Sequence, residues 1–309
     1  MKHILVVTAI IFSFAQLTEA KVKSRVHGGS KATYAMFPYL VYLRRNGWNK
    51  PSWLPSLIHY VPVISDWFMT PFHCGGVIIN KRFVLTAAHC IIGDAKSEVK
   101  RLEVVAGTNK LKHPDSPNVQ AYAVESIAVH TVPGHLYLGG DIALIKIKNY
   151  FDFSRFDVAR AKLPPANYKV SENTRVTIGG WGITEKDNEP LHLHYLNMQV
   201  ANIKLCHSSW KTYVQGEYPI VSKVLNFDKI IDQETMMCVT ADEGQGVCNG
   251  DSGSGAVTSD GIVLGIVSFG ATPCGNSDVV PDVMTYVPHY VHWIRQQMLA
   301  MLPQVMSST

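Results

Sequence analysis

Three short stretches of the chain hold side chains that can do covalent chemistry together. Leu85-Thr86-Ala87-Ala88-His89-Cys90 sets an imidazole just after an apolar, strand-like run, and Gly140-Asp141-Ile142-Ala143-Leu144 sets a carboxylate at the head of another. Gly250-Asp251-Ser252-Gly253 sets a hydroxyl between glycines, where backbone can come close to a bound molecule. Each has a plain structural explanation alone: a satisfied core histidine, a turn aspartate, a loop. In the order His89, Asp141, Ser252 they supply the base, the orienting group and the nucleophile of acyl transfer. A serine hydroxyl is a poor nucleophile, so an imidazole must take its proton during attack and return it to the leaving group. The carboxylate then fixes the tautomer and stabilises the imidazolium that forms.

Elements able to hold such groups recur along the chain. Strand-like segments at Leu40–Leu43, Val77–Ile79, Phe83–Thr86, Leu102–Ala106, Ala121–Val129, Ala143–Ile147, Arg175–Gly179, Leu196–Val200 and Ile262–Phe269 are rich in Val, Ile and aromatics and separated by Gly, Pro, Asn and Asp. One helical pattern stands out, Val287–Leu299, with Val287, Tyr290, Val291, Ile294 and Met298 on one face. Many short strands and one terminal helix predict an all-β barrel architecture, and around 280 residues at this strand density suggest two barrels rather than one. A hydrophobic content of 47% can fill such cores, and 17% charged residues excludes a disordered polyelectrolyte. Of the net charge of +4, three units fall in the first 25 residues, so the body has no basic surplus for nucleic acid.

Met1–Ala20 reads as a secretory leader: Lys2 and His3, an apolar stretch Ile4–Ala15, then Thr18-Glu19-Ala20. Its apolar run falls short of the ~20 residues that span a bilayer, so a soluble exported protein is expected. In an oxidising compartment the six cysteines, Cys74, Cys90, Cys206, Cys238, Cys248 and Cys274, predict disulfides, although six cysteines allow 15 pairings and spacing does not choose. No Cys-x-x-Cys pair favours zinc. No Asn-x-Ser/Thr acceptor for N-glycosylation occurs.

From about Val26 to Leu299 the chain resembles the chymotrypsin/trypsin family of serine endopeptidases. The motifs are Arg25-Val26-His27-Gly28-Gly29, Cys74-Gly75-Gly76, Thr86-Ala87-Ala88-His89-Cys90, Asp141-Ile142-Ala143-Leu144, Gly180-Trp181-Gly182, Gly250-Asp251-Ser252-Gly253, Ser268-Phe269-Gly270 and a terminal helix with Trp293-Ile294. The resemblance implies two perpendicular six-stranded antiparallel barrels and a C-terminal helix. It divides the chain into a leader 1–20, an activation propeptide 21–25, a peptidase domain 26–300 with barrels about 26–147 and 148–300, and a tail 301–309. It further implies disulfides Cys74–Cys90, Cys206–Cys238 and Cys248–Cys274, a catalytic triad of His89, Asp141 and Ser252, an oxyanion hole from the N–H groups of Gly250 and Ser252, and Ser268 supporting Asp141. Cleavage after Arg25 would free the Val26 amine to insert beside Asp251 and order the oxyanion loop, so the form starting at Lys21 is expected to be an inactive zymogen. Polypeptide substrates, an activating trypsin-like protease and protein inhibitors follow as partners; no cofactor, nucleic acid or membrane is expected, and a secreted monomer is.

The pocket bends the family pattern. Its base, six residues before Ser252, is Gly246, where trypsin-like enzymes carry Asp and chymotrypsin-like ones usually Ser. Asp282 stands on the adjoining wall, where both groups have glycine, and Ser268, Phe269 and Gly270 complete the substrate-binding set. Gly246 with Asp282 is similar to crustacean collagenolytic and related arthropod digestive proteases, which implies mixed preference for basic and large apolar side chains. An ionised, solvated Asp282 would attract Lys or Arg; a neutralised one would leave the apolar walls to choose. Ser254-Gly255 replaces the family's usual Gly-Pro, and an aromatic-rich insertion near 44–73 is expected to fold onto its own barrel. A second insertion, 207–237, is read as a surface excursion over Trp210–Phe227. Gly107-Thr108-Asn109-Lys110 lacks the acidic start of the trypsin calcium loop, and His192 and His194 are read as solvated, so no metal is expected. The alternative function is a non-catalytic protease homologue acting as a binding or regulatory protein; such homologues usually replace a triad member, and His89, Asp141 and Ser252 are all present.

Overall fold

A computed structural model describes residues 28–45, 72–91, 95–111, 119–130, 140–166, 168–183, 192–219 and 231–302. The leader, the propeptide, Val26, most of the 44–73 insertion, the middle of the 207–237 insertion and nearly all of the 301–309 tail lie outside the described residues.

The β-branched runs of the first half pair into a closed barrel. Its strands are β2 (Leu40–Arg45), β3 (Phe72–Ile78), β4 (Phe83–Thr86), β5 (Leu102–Ala106), β6 (Gln120–Val129) and β7 (Ala143–Ile147), neighbours in the order β2-β3-β4-β7-β6-β5. Closure leaves no unpaired edge. The tight β3–β4 turn is set by Asn80, whose side-chain oxygen accepts the N–H groups of Arg82 and Phe83 at 2.8 and 2.9 Å. All four residues of β4 and all five of β7 are buried, apolar except for Thr86 and Lys146.

The second half closes likewise: β8 (Arg175–Gly180), β9 (His194–Val200), β10 (Met236–Thr240), β11 (Gly255–Val257), β12 (Val263–Phe269) and β13 (Asp282–Tyr286) form the ring β8-β9-β10-β13-β12-β11. The short β1 (Ser30–Lys31) pairs with β9, so the beginning of the described chain is stitched to the second barrel. On β9 the apolar face is plain, with Leu196, Met198 and Val200 buried and Asn197 and Gln199 exposed between them. The fold is therefore the expected pair of six-stranded antiparallel barrels with a terminal helix.

Two helices depart from the sequence reading: α1 (Ala95–Glu98) and α2 (Ile203–Glu217). The stretch from Trp210 to Glu217, read as part of a surface excursion, is the second half of α2, its residues mostly exposed with Trp210 and Val214 turned inward. Asn202 caps α2 by accepting the N–H groups of Lys204 and Leu205, and Cys206, Trp210 and Val214 bury one face at helical spacing. Trp210 packs edge-on against Phe269, ring centroids 5.1 Å apart, and donates its indole N–H to Pro281 O at 2.8 Å.

The terminal helix α3 (Val287–Ala300) belongs in sequence to the second half but in packing to the first. Val287, Tyr290 and Ile294 join the core of the first barrel together with Val257, Val263 and Ile266. Lys146, a buried ammonium on β7, donates to Glu125 Oε1 at 2.5 Å and to Met301 O at the end of α3, where a cation opposes the helix dipole. All six cysteines are paired, as Cys74–Cys90, Cys206–Cys238 and Cys248–Cys274.

Candidate active site

Strand register brings the imidazole and carboxylate together. Antiparallel β4 and β7 set Thr86 opposite Ala143. His89 lies three residues past Thr86, on the 3₁₀ turn Ala88–Cys90, and Asp141 two residues before Ala143, so both emerge from the same end of adjacent strands. Asp141 Oδ1 accepts the His89 backbone N–H at 2.9 Å, and Oδ2 lies 2.8 Å from His89 Nδ1. A proton on Nδ1 is therefore donated to the carboxylate, leaving Nε2 as the basic nitrogen.

The second barrel secures that carboxylate from behind. Ser268 Oγ, on β12, donates to Asp141 Oδ2 at 2.5 Å, and Thr285 Oγ1, on β13, donates to Asp141 O at 2.7 Å. Ser268 was expected from the sequence. Thr285 was not, and its one available signal is a hydroxyl within the apolar run Val283-Met284-Thr285-Tyr286. Burial alone would lower the His89 pKa, but the Asp141 charge and hydrogen bond outweigh it and hold the imidazole above its ordinary value. Burial would raise Asp141; the His89 charge, with bonds from His89 and Ser268, holds it below the ordinary carboxylate range.

Ser252 is held between the barrels by its backbone. The Gly75 N–H of β3 donates to Ser252 O at 2.8 Å, while on the other side the Gly253 N–H donates to Val267 O at 3.0 Å. Gly253 has φ of +82°, and a Cβ there would lie 2.4 Å from Gly75 O and 2.3 Å from Thr86 Oγ1, so only glycine fits this crossing point. The Cys74–Cys90 bridge closes the circuit, since it joins the neighbour of Gly75 to the neighbour of His89. Cys74, His89 and Cys90 also bring possible ligand atoms within 4.8 Å of one another, but sulfurs bonded to each other have no thiolate to offer a metal.

Asp251 is fully buried next to Ser252. Its Oδ1 accepts the Gly182 N–H at 2.9 Å and Oδ2 the Cys248 N–H at 3.0 Å. A Cβ on Gly180 would come within 1.9 Å of Oδ1, and one on Gly182 within 2.4 Å of the carboxylate, so the two glycines make its cradle. Gly250, at φ +98°, turns the chain into this segment. The remaining expected site residues gather around Asp282, which is buried on β13: Gly246 on one side of its carboxyl, Gly270 on the other, and Phe269 opposite Val283 on β12. His192 bridges to Lys110, and His194 begins β9 with its Nδ1 3.0 Å from His192 O. Among the described residues no helix is long and apolar enough to cross a membrane.

A nucleophile, a base and a buried carboxylate on this scaffold can carry out acyl transfer. The family model described as Trypsin matches residues 27–294. Granzyme M of Rattus norvegicus is 31% identical over 236 residues, covering 75% of this chain and 81% of that protein. Kallikrein-12 of Homo sapiens is 32% identical over 238 residues, covering 74% and 82%. Chymotrypsin-2 of Vespa crabro is 28% identical over 273 residues, covering 88% and 99%. Among solved structures, human heparin binding protein superposes with a TM-score of 0.64 at 22% identity, covering 89% of this chain and 98% of that one, a likeness of fold.

Proposed function

Given that the chain belongs to the trypsin family of serine endopeptidases, we propose that it is secreted as a zymogen and that its cleaved form hydrolyses polypeptides through an acyl-enzyme on Ser252. The observation carrying this reading is the bonded line Thr285–Asp141–His89 with Ser268 alongside, ending on the turn that the Cys74–Cys90 bridge ties to the Ser252 backbone. In the forward step His89 Nε2 takes the Ser252 hydroxyl proton as Oγ bonds to the scissile carbonyl carbon. The oxyanion is received by the N–H groups of Gly250 and Ser252, each such donor contributing ~2.7–4 kcal/mol. The C–N bond then breaks, the leaving amine takes the proton from His89, and water repeats the sequence to release the acid.

Activation is proposed to follow cleavage after Arg25, which frees the Val26 ammonium to pair with Asp251. In support, the Asp251 carboxylate is buried next to Ser252 in the cradle of Gly180 and Gly182, so a cation that reaches it acts directly on the serine loop. The leader 1–20 and the three disulfides support secretion into an oxidising fluid. An activating trypsin-like protease and protein inhibitors are the proposed partners, and mixed basic and apolar preference the proposed specificity. Fluorophosphonate labelling and peptide-amide hydrolysis test the reading on protein cleaved after Arg25. Native protein labels once and hydrolyses, Ser252→Ala loses the adduct, and uncleaved Arg25→Gln is silent. Cleaved native protein that takes no label and hydrolyses nothing would overturn the reading in favour of a binding homologue.

A further inference from the structure

Tyr213 is a half-buried phenol that no step of the proposed reaction uses. It lies on α2, which the Cys206–Cys238 bridge fastens to β10 near the helix start. In the second half of the helix the phenol meets one residue of the β12–β13 loop, Thr272, 59 positions away. The hydroxyl donates to Thr272 O at 2.8 Å, accepts the Thr272 N–H at 3.0 Å, and lies 3.0 Å from Thr272 Oγ1. Burial foremost, against the Thr272 bonds, holds its pKa above the ordinary phenol value, so the donated proton stays in place at neutral pH.

Three residues earlier on the same helix, Trp210 binds the other end of that loop. Its indole N–H donates to Pro281 O at 2.8 Å, and its ring stands edge-on to Tyr213 with centroids 5.5 Å apart. Ala271 and Val280, just inside the two ends, pack with Cys206, Trp210 and Val214. The helix therefore braces the loop at entry and at exit. Between those ends the loop is tied to the segment that leads to Ser252. Ser277, 1% exposed, donates its hydroxyl to Gln245 O at 2.7 Å and accepts the Ala241 N–H at 3.0 Å. Thr240 Oγ1 donates to Ser277 O at 2.8 Å. Cys274 is bonded to Cys248, whose N–H donates at 3.0 Å to Oδ2 of Asp251, the neighbour of Ser252.

Resting on the protease reading above, we propose that Tyr213 is a positioning residue for Ser252, acting through Thr272 and the Cys248–Cys274 bridge. A side chain bonded to both the N–H and the C=O of one residue fixes the place and the rotation of that stretch of backbone; a single bond leaves the rotation free. Without the hydroxyl, only the Pro281 bond of these polar ties to α2 remains. The loop can then turn about it, carrying Cys274 and, with it, the turn from Cys248 to Asp251. Gly250 and Ser252 ride on that turn, so the aim of their N–H groups at the oxyanion loosens, and the loss falls on kcat. Thr272 is exposed, so water takes up its freed N–H and C=O and the fold keeps its stability.

The experiment compares native protein, Tyr213→Phe and Tyr218→Phe, each full-length and cleaved after Arg25. Tyr218 is the control: its hydroxyl lies 3.5 Å from Thr272 Oγ1, and its removal leaves the two backbone bonds intact. The readouts are the rate of fluorophosphonate labelling with the probe in excess, kcat and KM for one peptide amide, and the urea midpoint. Tyr213→Phe should label and turn over roughly tenfold more slowly, inside the ~10²-fold that a misplacement of about 1 Å costs, with KM within about twofold of native. Its urea midpoint should stay at the native value, and Tyr218→Phe should match native in every readout. A native labelling rate and kcat in Tyr213→Phe overturn the proposal, whatever the midpoint. So do an equal loss in Tyr218→Phe, a rise confined to KM, and a Tyr213→Phe protein that does not fold, since each gives the hydroxyl another role. Native protein that takes no Ser252-dependent label and hydrolyses nothing is a different result: it refutes the protease reading and the proposal with it.

Discussion

Replacing Asp141 by Asn should leave a folded protein almost without activity. Asp141 is an acceptor at both oxygens: Oδ1 takes the His89 N–H at 2.9 Å, and Oδ2 takes the ring at 2.8 Å and the Ser268 hydroxyl at 2.5 Å. Asparagine has one acceptor oxygen and one donor amide. With the oxygen toward the backbone N–H, the amide faces the ring, Nδ1 must accept, and the proton moves to Nε2, so no base faces Ser252. With the amide flipped, two donors meet at a buried backbone N–H, and an orphaned donor there costs ~1–3 kcal/mol. The first arrangement is therefore preferred. The kcat loss expected is about 10⁴, the figure the same change gives in the archetypal triad, or about 5.4 kcal/mol of barrier. The pH profile adds a second readout. The native acid limb of kcat/KM should lie above the ordinary imidazole value of about 6.5, because the Asp141 charge and hydrogen bond outweigh burial at His89; in the variant burial prevails and any residual limb falls below it. The stability signs follow. Depressed Asp141 contributes stability that is lost as pH falls through its folded pKa, and raised His89 contributes stability complete below about 6.5 and lost as pH rises through its folded pKa. The difference between native and variant in urea unfolding should be largest between those limits. Steady-state amide hydrolysis with kcat within tenfold of native would refute the reasoning, as would an unmoved acid limb.

Two further substitutions probe the frame of the site. Ser254 is fully buried and its Oγ has no hydrogen-bond partner among the described residues, so Ser254→Ala should raise stability by roughly 1 kcal/mol, read as a higher urea midpoint; a lower midpoint would count against the account. Gly182→Ala sets a methyl 2.4 Å from the Asp251 carboxylate, and should destabilise by ~1–3 kcal/mol and impair activity after cleavage; a native midpoint with full activity would sink this view of the cradle.

The dense apolar strands were legible because burial on both faces writes itself as a run of Val, Ile and Leu: Phe83–Thr86, Leu102–Ala106 and Ala143–Ile147 were read at their observed limits. The strands missed carry weaker signals. β11 has three residues, and β13 opens on Asp282, a charged type that seldom starts a buried strand. Helix α2 escaped notice because its buried stripe is narrow, Cys206, Trp210 and Val214, with Leu205 exposed beside it. Local motifs marked His89, Asp141 and Ser252, since each sits in a distinctive short context. The bond from Thr285, 144 positions from its acceptor, has no local pattern to reveal it. The burial of Asp282 was likewise hidden, because the sequence allowed a solvated carboxylate as readily as the desolvated one found.

The placement of α3 bears on how the cleft can move. Val287, Tyr290 and Ile294 fill the opposite half's core, and the Lys146 ammonium grips the carbonyl at the far end of the same helix. The carboxy-terminal segment is thus a clasp: the halves cannot swing apart like jaws without tearing apolar surface from one of them, and a fragment ending before Val287 would expose that surface to water.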